Sequence, residues 1–304
     1  MSESTSIRLI DAANGLTGSF SFGNNVLYQM CHDPNTQLCN PSHLSDMIWL
    51  IGRAYAASPE RRDYGFVKSG NKRISLFSPK NAADGKGNFF IKIATYIVAQ
   101  PQFQELSAII DDIKSYQFRF QDVDADLEKL AKGIRAVQLL NFLIRKASED
   151  FDGLNTDEAK AARKNGASCK NQISFCSKFL HFHCPGSVFI IDQYSLDGGK
   201  IAIPSQKRGY TPLFETADGS KKQVDIPSFE DYKQTHKSLL DKLNEINRNT
   251  IDEQKKTEDN EVKRVLEYLA HCARAYCVSK YLHENNVDPS PRLIDDLFLR
   301  LQKK

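Results

Sequence analysis

The longest regular pattern in this chain runs from residue 122 to residue 148 and predicts one long helix. Apolar side chains recur through it at the spacing of a single helix face. They are Leu127, Leu130, Ile134, Val137, Leu140, Leu143 and Ile144. Three acidic residues, Asp122, Asp124 and Asp126, stand at its start, where the positive end of the helix dipole favours negative charge. The segment is therefore predicted to be a core helix.

Further helical patterns occur on both sides of this segment, whereas strand-like runs are short. Helices are predicted from Leu44 to Ser58-Pro59, with Ser42 as the cap, and over 88–98, 103–116, 228–247, 261–284 and 291–301. Residues 65–87 predict a long loop with one strand at 73–77, and residues 196–226, rich in Gly and Pro, predict a loop with a small hairpin. The pattern indicates a mainly α, multi-helix protein with irregular loop-rich insertions and few short strands.

The length of 304 residues permits either one continuous domain or two of ordinary size. In the second case, residues 1–150 form an N-terminal helical region and residues 151–304 form a second one that contains the loop-rich segment 196–226. No apolar run approaches the roughly 18 residues of a membrane span, which predicts no membrane partner. The N-terminus lacks a secretory pattern, and seven cysteines are an odd number, so a cytoplasmic, reducing location is expected.

Charge alone does not identify a partner, because 41 basic residues are nearly matched by 38 acidic ones. The segment that carries potential chemistry is Ser174-Phe-Cys-Ser-Lys-Phe-Leu-His-Phe-His-Cys-Pro185. It predicts an aromatic helix that ends at Pro185-Gly186, after which the apolar run 188–191 leads to Asp192. A purely structural interpretation is also open, in which Asp192 caps the next helix or turn.

This layout resembles the last conserved helix and the following turn of the helix-hairpin-helix/Gly-Pro-Asp DNA glycosylases, especially bacterial 8-oxoguanine glycosylase-like proteins. The resemblance covers residues 174–194 and implies a glycosylase-like fold, DNA as the partner, no cofactor, and a context of DNA repair or phage defence. It implies that Asp192 is the catalytic carboxylate, which stabilises positive charge on the sugar in the transition state. Aromatic side chains would receive the extruded base. The candidates are Phe175, Phe179, Phe182, Phe189 and Tyr194.

The chain departs from this family in one respect that concerns the reaction. Bifunctional members place a nucleophilic Lys after a Leu-Pro-Gly-Val-Gly hairpin, and this sequence has no such hairpin. Lys170 stands too early and Lys178 too late relative to Asp192. The resemblance therefore implies a monofunctional hydrolase, a displaced Lys nucleophile, or a protein that has lost catalysis.

Candidate phosphate contacts occur in two places. Arg53, Arg61 and Arg62 bring three guanidinium groups together within ten residues, which suits bidentate phosphate binding. Lys178 and His181 are three residues apart on the motif helix and could hold another phosphate. The alternatives are structural: Arg53 pairs internally, Arg61 and Arg62 are solvated, Lys178 is a solvated charge, and His181 is a satisfied, partly buried imidazole.

A metal site is not expected, although Cys176, His181, His183 and Cys184 are suitable zinc ligands. His181 and His183 on one helix would point about 200° apart, so both could not ligate one ion. Three hypotheses remain: a monofunctional DNA glycosylase-like enzyme, a non-catalytic nucleic-acid-binding relative, and a helical scaffold or interaction protein in which Asp192 is only a cap.

Overall fold

The computed structural model describes residues 22–54, 67–69, 72–74, 87–149, 172–203, 212–215, 221–223, 228–248 and 259–303. Ten helices lie in these ranges: α1 (Phe22–His32), α2 (Pro41–Ala54), α3 (Gly87–Val98), α4 (Pro101–Ile113), α5 (Val123–Glu149), α6 (Ile173–His183), α7 (Gln193–Ala202), α8 (Phe229–Arg248), α9 (Asp259–Glu284) and α10 (Pro291–Arg300). The prediction of a mainly α fold is confirmed. None of these described helices has the length and apolar composition that a bilayer crossing requires.

The described strands are short and form two small antiparallel sheets. Strands β1 (Val67–Ser69) and β2 (Lys72–Ile74) pair with each other. The strand predicted over 73–77 begins one residue earlier, β1 was predicted as loop, and residues 75–77 lie outside the described residues. Strands β3 (Pro212–Glu215), β4 (Lys221–Gln223) and β5 (Leu301–Lys303) form a sheet in the order β4-β3-β5. The β3–β4 pair confirms the small hairpin predicted within 196–226.

The chain divides into two compact units, and neither is one continuous stretch. The described residues of unit 1 lie within 111–135 and 184–304, and those of unit 2 lie within 22–110 and 136–183. Helix α5 contributes Val123–Arg135 to unit 1 and its remainder to unit 2. These units therefore do not meet at residue 150. The predicted division into regions 1–150 and 151–304 concerns domains and stays a prediction.

In unit 2, α2 contacts α1, α3 and α6. Its buried face consists of Leu44, Met47, Ile48 and Ile51, as the helical spacing predicts. The predicted cap is wrong. The helix begins at Pro41, three residues before Leu44, so Asn40 and not Ser42 stands at its start, and Asn40 Oδ1 accepts a hydrogen bond from the Ser42 amide at 3.0 Å.

In unit 1, Asp126 is a fully buried carboxylate that joins three parts of the chain. It accepts hydrogen bonds from the Tyr116 hydroxyl at 2.7 Å, the Tyr276 hydroxyl at 2.8 Å, and the amides of Arg119 and Phe120 at 3.1 and 2.8 Å. Burial, followed by the bond to Asp126, raises the pKa of Tyr116 and of Tyr276 well above the usual value. The carboxylate thus ties α5 to α9 and to the segment before α5.

The largest correction to the predicted secondary structure is α7. Residues 196–202 belong to this helix and not to a loop, although they include Gly198 and Gly199. Both glycines are buried and face α10, where a Cβ on Gly198 would overlap the carbonyl oxygen of Phe298. The glycines therefore permit close helix packing and do not break the helix.

Candidate functional site

The backbone that leads to Asp192 is held by side chains of α9 in unit 1. The Tyr268 hydroxyl donates a hydrogen bond to the Phe189 carbonyl at 2.8 Å, and His271 Nε2 donates to the Ile190 carbonyl at 2.9 Å. Both of these α9 side chains are buried, with about 1% of their surface exposed. The position of Asp192 is therefore fixed by the packed core of the unit.

Asp192 is the N-cap of α7. Its Oδ1 accepts hydrogen bonds from the amides of Tyr194 at 3.0 Å and Ser195 at 2.9 Å, and its own amide donates to Ser195 Oγ at 3.0 Å. This reciprocal arrangement is a capping box. The capping role named in the structural interpretation is present. Asp192 as a whole is half-buried, and its carboxylate lies at the positive end of the helix dipole.

The five candidate aromatic residues differ greatly in exposure. Tyr194 has 75% of its surface exposed, while the four phenylalanines are at 1% or less. Phe189, in unit 1, stacks on Phe118 with ring centroids 5.7 Å apart and an interplanar angle of 16°. Phe175, Phe179 and Phe182 lie on α6 in unit 2, where Phe182 contacts the Tyr28 ring at 4.8 Å. A base could reach these four rings only if they left this packing. Their role in a base pocket stays a prediction.

The candidate phosphate contacts on α6 are both buried. His181 is 1% exposed and its Nε2 forms a 2.5 Å hydrogen bond with the Tyr28 hydroxyl of α1, as expected for a satisfied imidazole. Lys178 is 6% exposed, so the alternative of a solvated charge is wrong, because α6 is covered on nearly all sides. Arg61 and Arg62 lie outside the described residues, and of Arg53 only the helical backbone is described.

No group of three or more His, Cys, Asp or Glu side chains in the described ranges is arranged to hold a metal ion. Cys176 and Cys184, two of the four candidate zinc ligands, are buried free thiols. Burial raises the pKa of the Cys176 thiol well above its usual value. In the absence of a metal ion this cysteine therefore stays a protonated, packed thiol.

Comparisons of the chain with family models, with curated proteins and with solved structures found no match.

Sequence reasoning missed Tyr268 and His271, the two residues that fix the backbone before Asp192. They are three residues apart on α9, and most of the residues next to them in the sequence are apolar. Their only signal in the sequence is a hydroxyl and an imidazole on one apolar helix face, which predicts polar side chains with buried partners but does not identify those partners.

Two buried histidines should make the protein unstable in mild acid. Burial, with repulsion from His32, lowers the pKa of His183 to about 3, and burial lowers the pKa of His271 to about 4. The unfolded chain binds more protons below the ordinary histidine value of roughly 6.5, so the free energy of unfolding should fall as the pH drops from about 6.5 to 4. We expect this fall in urea titrations between pH 7 and pH 4.

His271→Gln tests the origin of that pH dependence. The amide can still donate to the Ile190 carbonyl but does not titrate, so the fall between pH 6.5 and 4 should shrink by roughly 3 kcal/mol. A variant whose stability changes with pH as steeply as that of the wild type would contradict the assignment.

Proposed function

We propose that this chain is a monofunctional DNA glycosylase-like protein that binds DNA and releases a modified or damaged base. The observation that carries the proposal is the start of α7, where the half-buried Asp192 carboxylate lies two residues from the exposed Tyr194 ring. A charged group and an exposed stacking surface thereby stand together at one helix end.

The proposed chemistry requires a carboxylate at a fixed position. Cleavage of an N-glycosidic bond builds positive charge on the sugar, and a preorganised carboxylate stabilises that charge without having to reorient. The amides of Tyr194 and Ser195 hold Asp192 through Oδ1, and the core side chains Tyr268 and His271 hold the backbone before it. These contacts supply the positional support that such a group needs.

The proposed role of Tyr194 is to stack on a base of a single-stranded or extruded nucleotide. Aromatic side chains contribute about 1–3 kcal/mol per stacked base, with little dependence on sequence. Because three quarters of the Tyr194 surface is exposed, its ring does not have to leave a packed core in order to bind.

A second candidate function is nucleic-acid binding without catalysis, and the capping box favours it. The two amide bonds to Asp192 give this carboxylate a structural reason to be present even when no reaction takes place. Both candidates predict binding at Tyr194, and they differ only in whether a base is released.

Tyr194→Ala should weaken the binding of a fluorescent single-stranded oligonucleotide by roughly 5- to 150-fold, the equivalent of one lost stacking interaction. Tyr194→Phe keeps the ring and is the matched control, so it should bind nearly as tightly as the wild type. Since Tyr194 is exposed, both variants should unfold at the temperature of the wild type.

Two measurements decide between the candidates. Absence of oligonucleotide binding by the wild type at low salt, or equal affinities of Tyr194→Ala and the wild type, would contradict both. If binding depends on Tyr194, a panel of duplexes that carry different modified bases should be screened for released base. Release supports the glycosylase-like function, and binding without release across the panel supports the non-catalytic one.

A further inference from the structure

A groove of about 530 Å³ lies between α7 and α9 in unit 1, and we call it the α7–α9 groove. Its lining residues are Leu196, Lys200, Val262, Lys263, Leu266, Glu267, Ala270 and Arg274. Its volume is within the range of about 300–1,000 Å³ that is common for binding sites in proteins. The proposed function uses neither this groove nor its lining residues.

The apolar part of the groove is aliphatic and partly open to solvent. Val262, Leu266 and Ala270 are four residues apart along α9, and so lie on one face of that helix. Val262 has 53% and Leu266 has 43% of its surface exposed. Two large aliphatic side chains are thus exposed one helical turn apart along the groove.

The charged part of the groove is predominantly cationic. Lys200, Lys263 and Arg274 line it together with one acid, Glu267, which Arg264 pairs at 2.8 Å. The Arg274 guanidinium is buried and fixed, with Nε donating to the Ile203 carbonyl at 2.7 Å and Nη1 to the Ala270 carbonyl at 3.1 Å. The guanidinium also lies over the Tyr232 ring, with its Cζ 4.8 Å from the ring centroid.

We propose that the α7–α9 groove binds an amphipathic helix of a partner protein that presents aliphatic anchors flanked by acidic residues. Aliphatic anchors at helical spacing match the row of Val262, Leu266 and Ala270, as in other helix-in-groove complexes. Acidic flanks complement Lys200 and Lys263 of the lining and select against a basic helix. A nucleic-acid strand fits less well, because single-stranded bases bind to aromatic rings and the described lining residues include none.

The probes are two synthetic helical peptides with identical Leu anchors at i, i+4 and i+7. One carries Glu and the other carries Lys at the flanking positions, and the full chain is titrated against each in fluorescence anisotropy. The Glu peptide should bind at least about tenfold more tightly than the Lys peptide, and the difference should shrink with added salt. Equal affinities, or no binding of the Glu peptide, would overturn the proposal.

Substitutions then test whether the peptide binds in the α7–α9 groove. Leu266→Asp should weaken binding of the Glu peptide at least about tenfold, since it puts a charge on the aliphatic row and opposes the acidic flanks. Leu299→Asp is the matched control, because Leu299 lies on α10 outside the groove lining and is also 43% exposed. It should have little effect. Equal losses of peptide affinity in the two variants would overturn the assignment of the binding site to the groove.

Lys263→Glu provides an independent test that leaves the apolar row intact. It should reduce the preference for the Glu peptide by about tenfold or reverse it. An unchanged preference, or displacement of the bound Glu peptide by a single-stranded oligonucleotide, would overturn the proposal. Oligonucleotide binding and base release should not change in Leu266→Asp, so the failure of this proposal and that of the proposed function can be told apart.

Discussion

Asp192→Asn is expected to lower base release by about 100-fold or more, because it removes the charge that stabilises the transition state. Stability should remain nearly unchanged, since Asn is as good an N-cap as Asp and its Oδ1 can accept from the amides of Tyr194 and Ser195. The measurements are single-turnover release from a duplex that the wild type cleaves, and urea denaturation. With no Lys after a hairpin, the product should be an intact abasic strand.

Two further substitutions at Asp192 separate the reaction from the cap. Ser keeps the cap without the charge, so Asp192→Ser should behave as Asn does in both measurements. Asp192→Ala removes the cap and should cost about 1 kcal/mol of stability in addition to the loss of activity. If Asn and Ser release base at the wild-type rate and only Ala changes the protein, Asp192 is a structural cap and the catalytic assignment fails.

Most of the helices could be predicted, because their periodicity is set by local geometry, but α1 was not predicted. In α5, buried positions such as Leu127, Leu130 and Ile134 follow the predicted face, and the observed range of Val123–Glu149 differs by one residue at each end from the range predicted. The ranges of α8 and α10 also agree with the prediction to within one residue at each end, and the hydroxyls of Ser228 and Ser290 cap their first turns.

Features that depend on distant neighbours could not be predicted in this way. Asp126 has the sequence context of an exposed acid in a first helical turn, yet it is buried by Tyr116 and Tyr276, ten and 150 residues away. The sequence likewise identifies the Gly198-Gly199 pair as a helix breaker, because nothing near it indicates that the backbone of α10 packs there. Local residue preference is overridden by tertiary packing at both places.

The candidate site shows the same division between local and distant causes. The capping interpretation of Asp192 could be made from the sequence, because the cap involves residues only two and three positions away. The exposure of Tyr194 and the burial of Phe189 could not, because both aromatic side chains occur in the same short segment and only packing distinguishes them. The α7–α9 groove was missed because its two walls are about 60 residues apart in the chain.

Gly198→Ala is expected to destabilise unit 1 by at least about 2 kcal/mol, although Ala is the better helix former. A Cβ at this position would overlap the Phe298 carbonyl oxygen and lie 2.8 Å from Phe298 Cα. Backbone atoms cannot rotate away as a side chain can, so α7 and α10 would have to separate. Urea denaturation measures the loss.

The neighbouring glycine provides the matched control for that prediction. A Cβ on Gly199 would lie 3.3 Å from the His271 Nδ1 atom and from the ring of Phe298, which are side-chain atoms that can shift by a few tenths of an ångström. Gly199→Ala should therefore change stability by less than about 1 kcal/mol, since the helix propensity of Ala offsets the tighter contact. Because α7 carries Asp192 at its first turn, base release should fall in Gly198→Ala and persist in Gly199→Ala. Equal stabilities of the two variants would contradict the close approach of the Gly198 backbone to the Phe298 carbonyl.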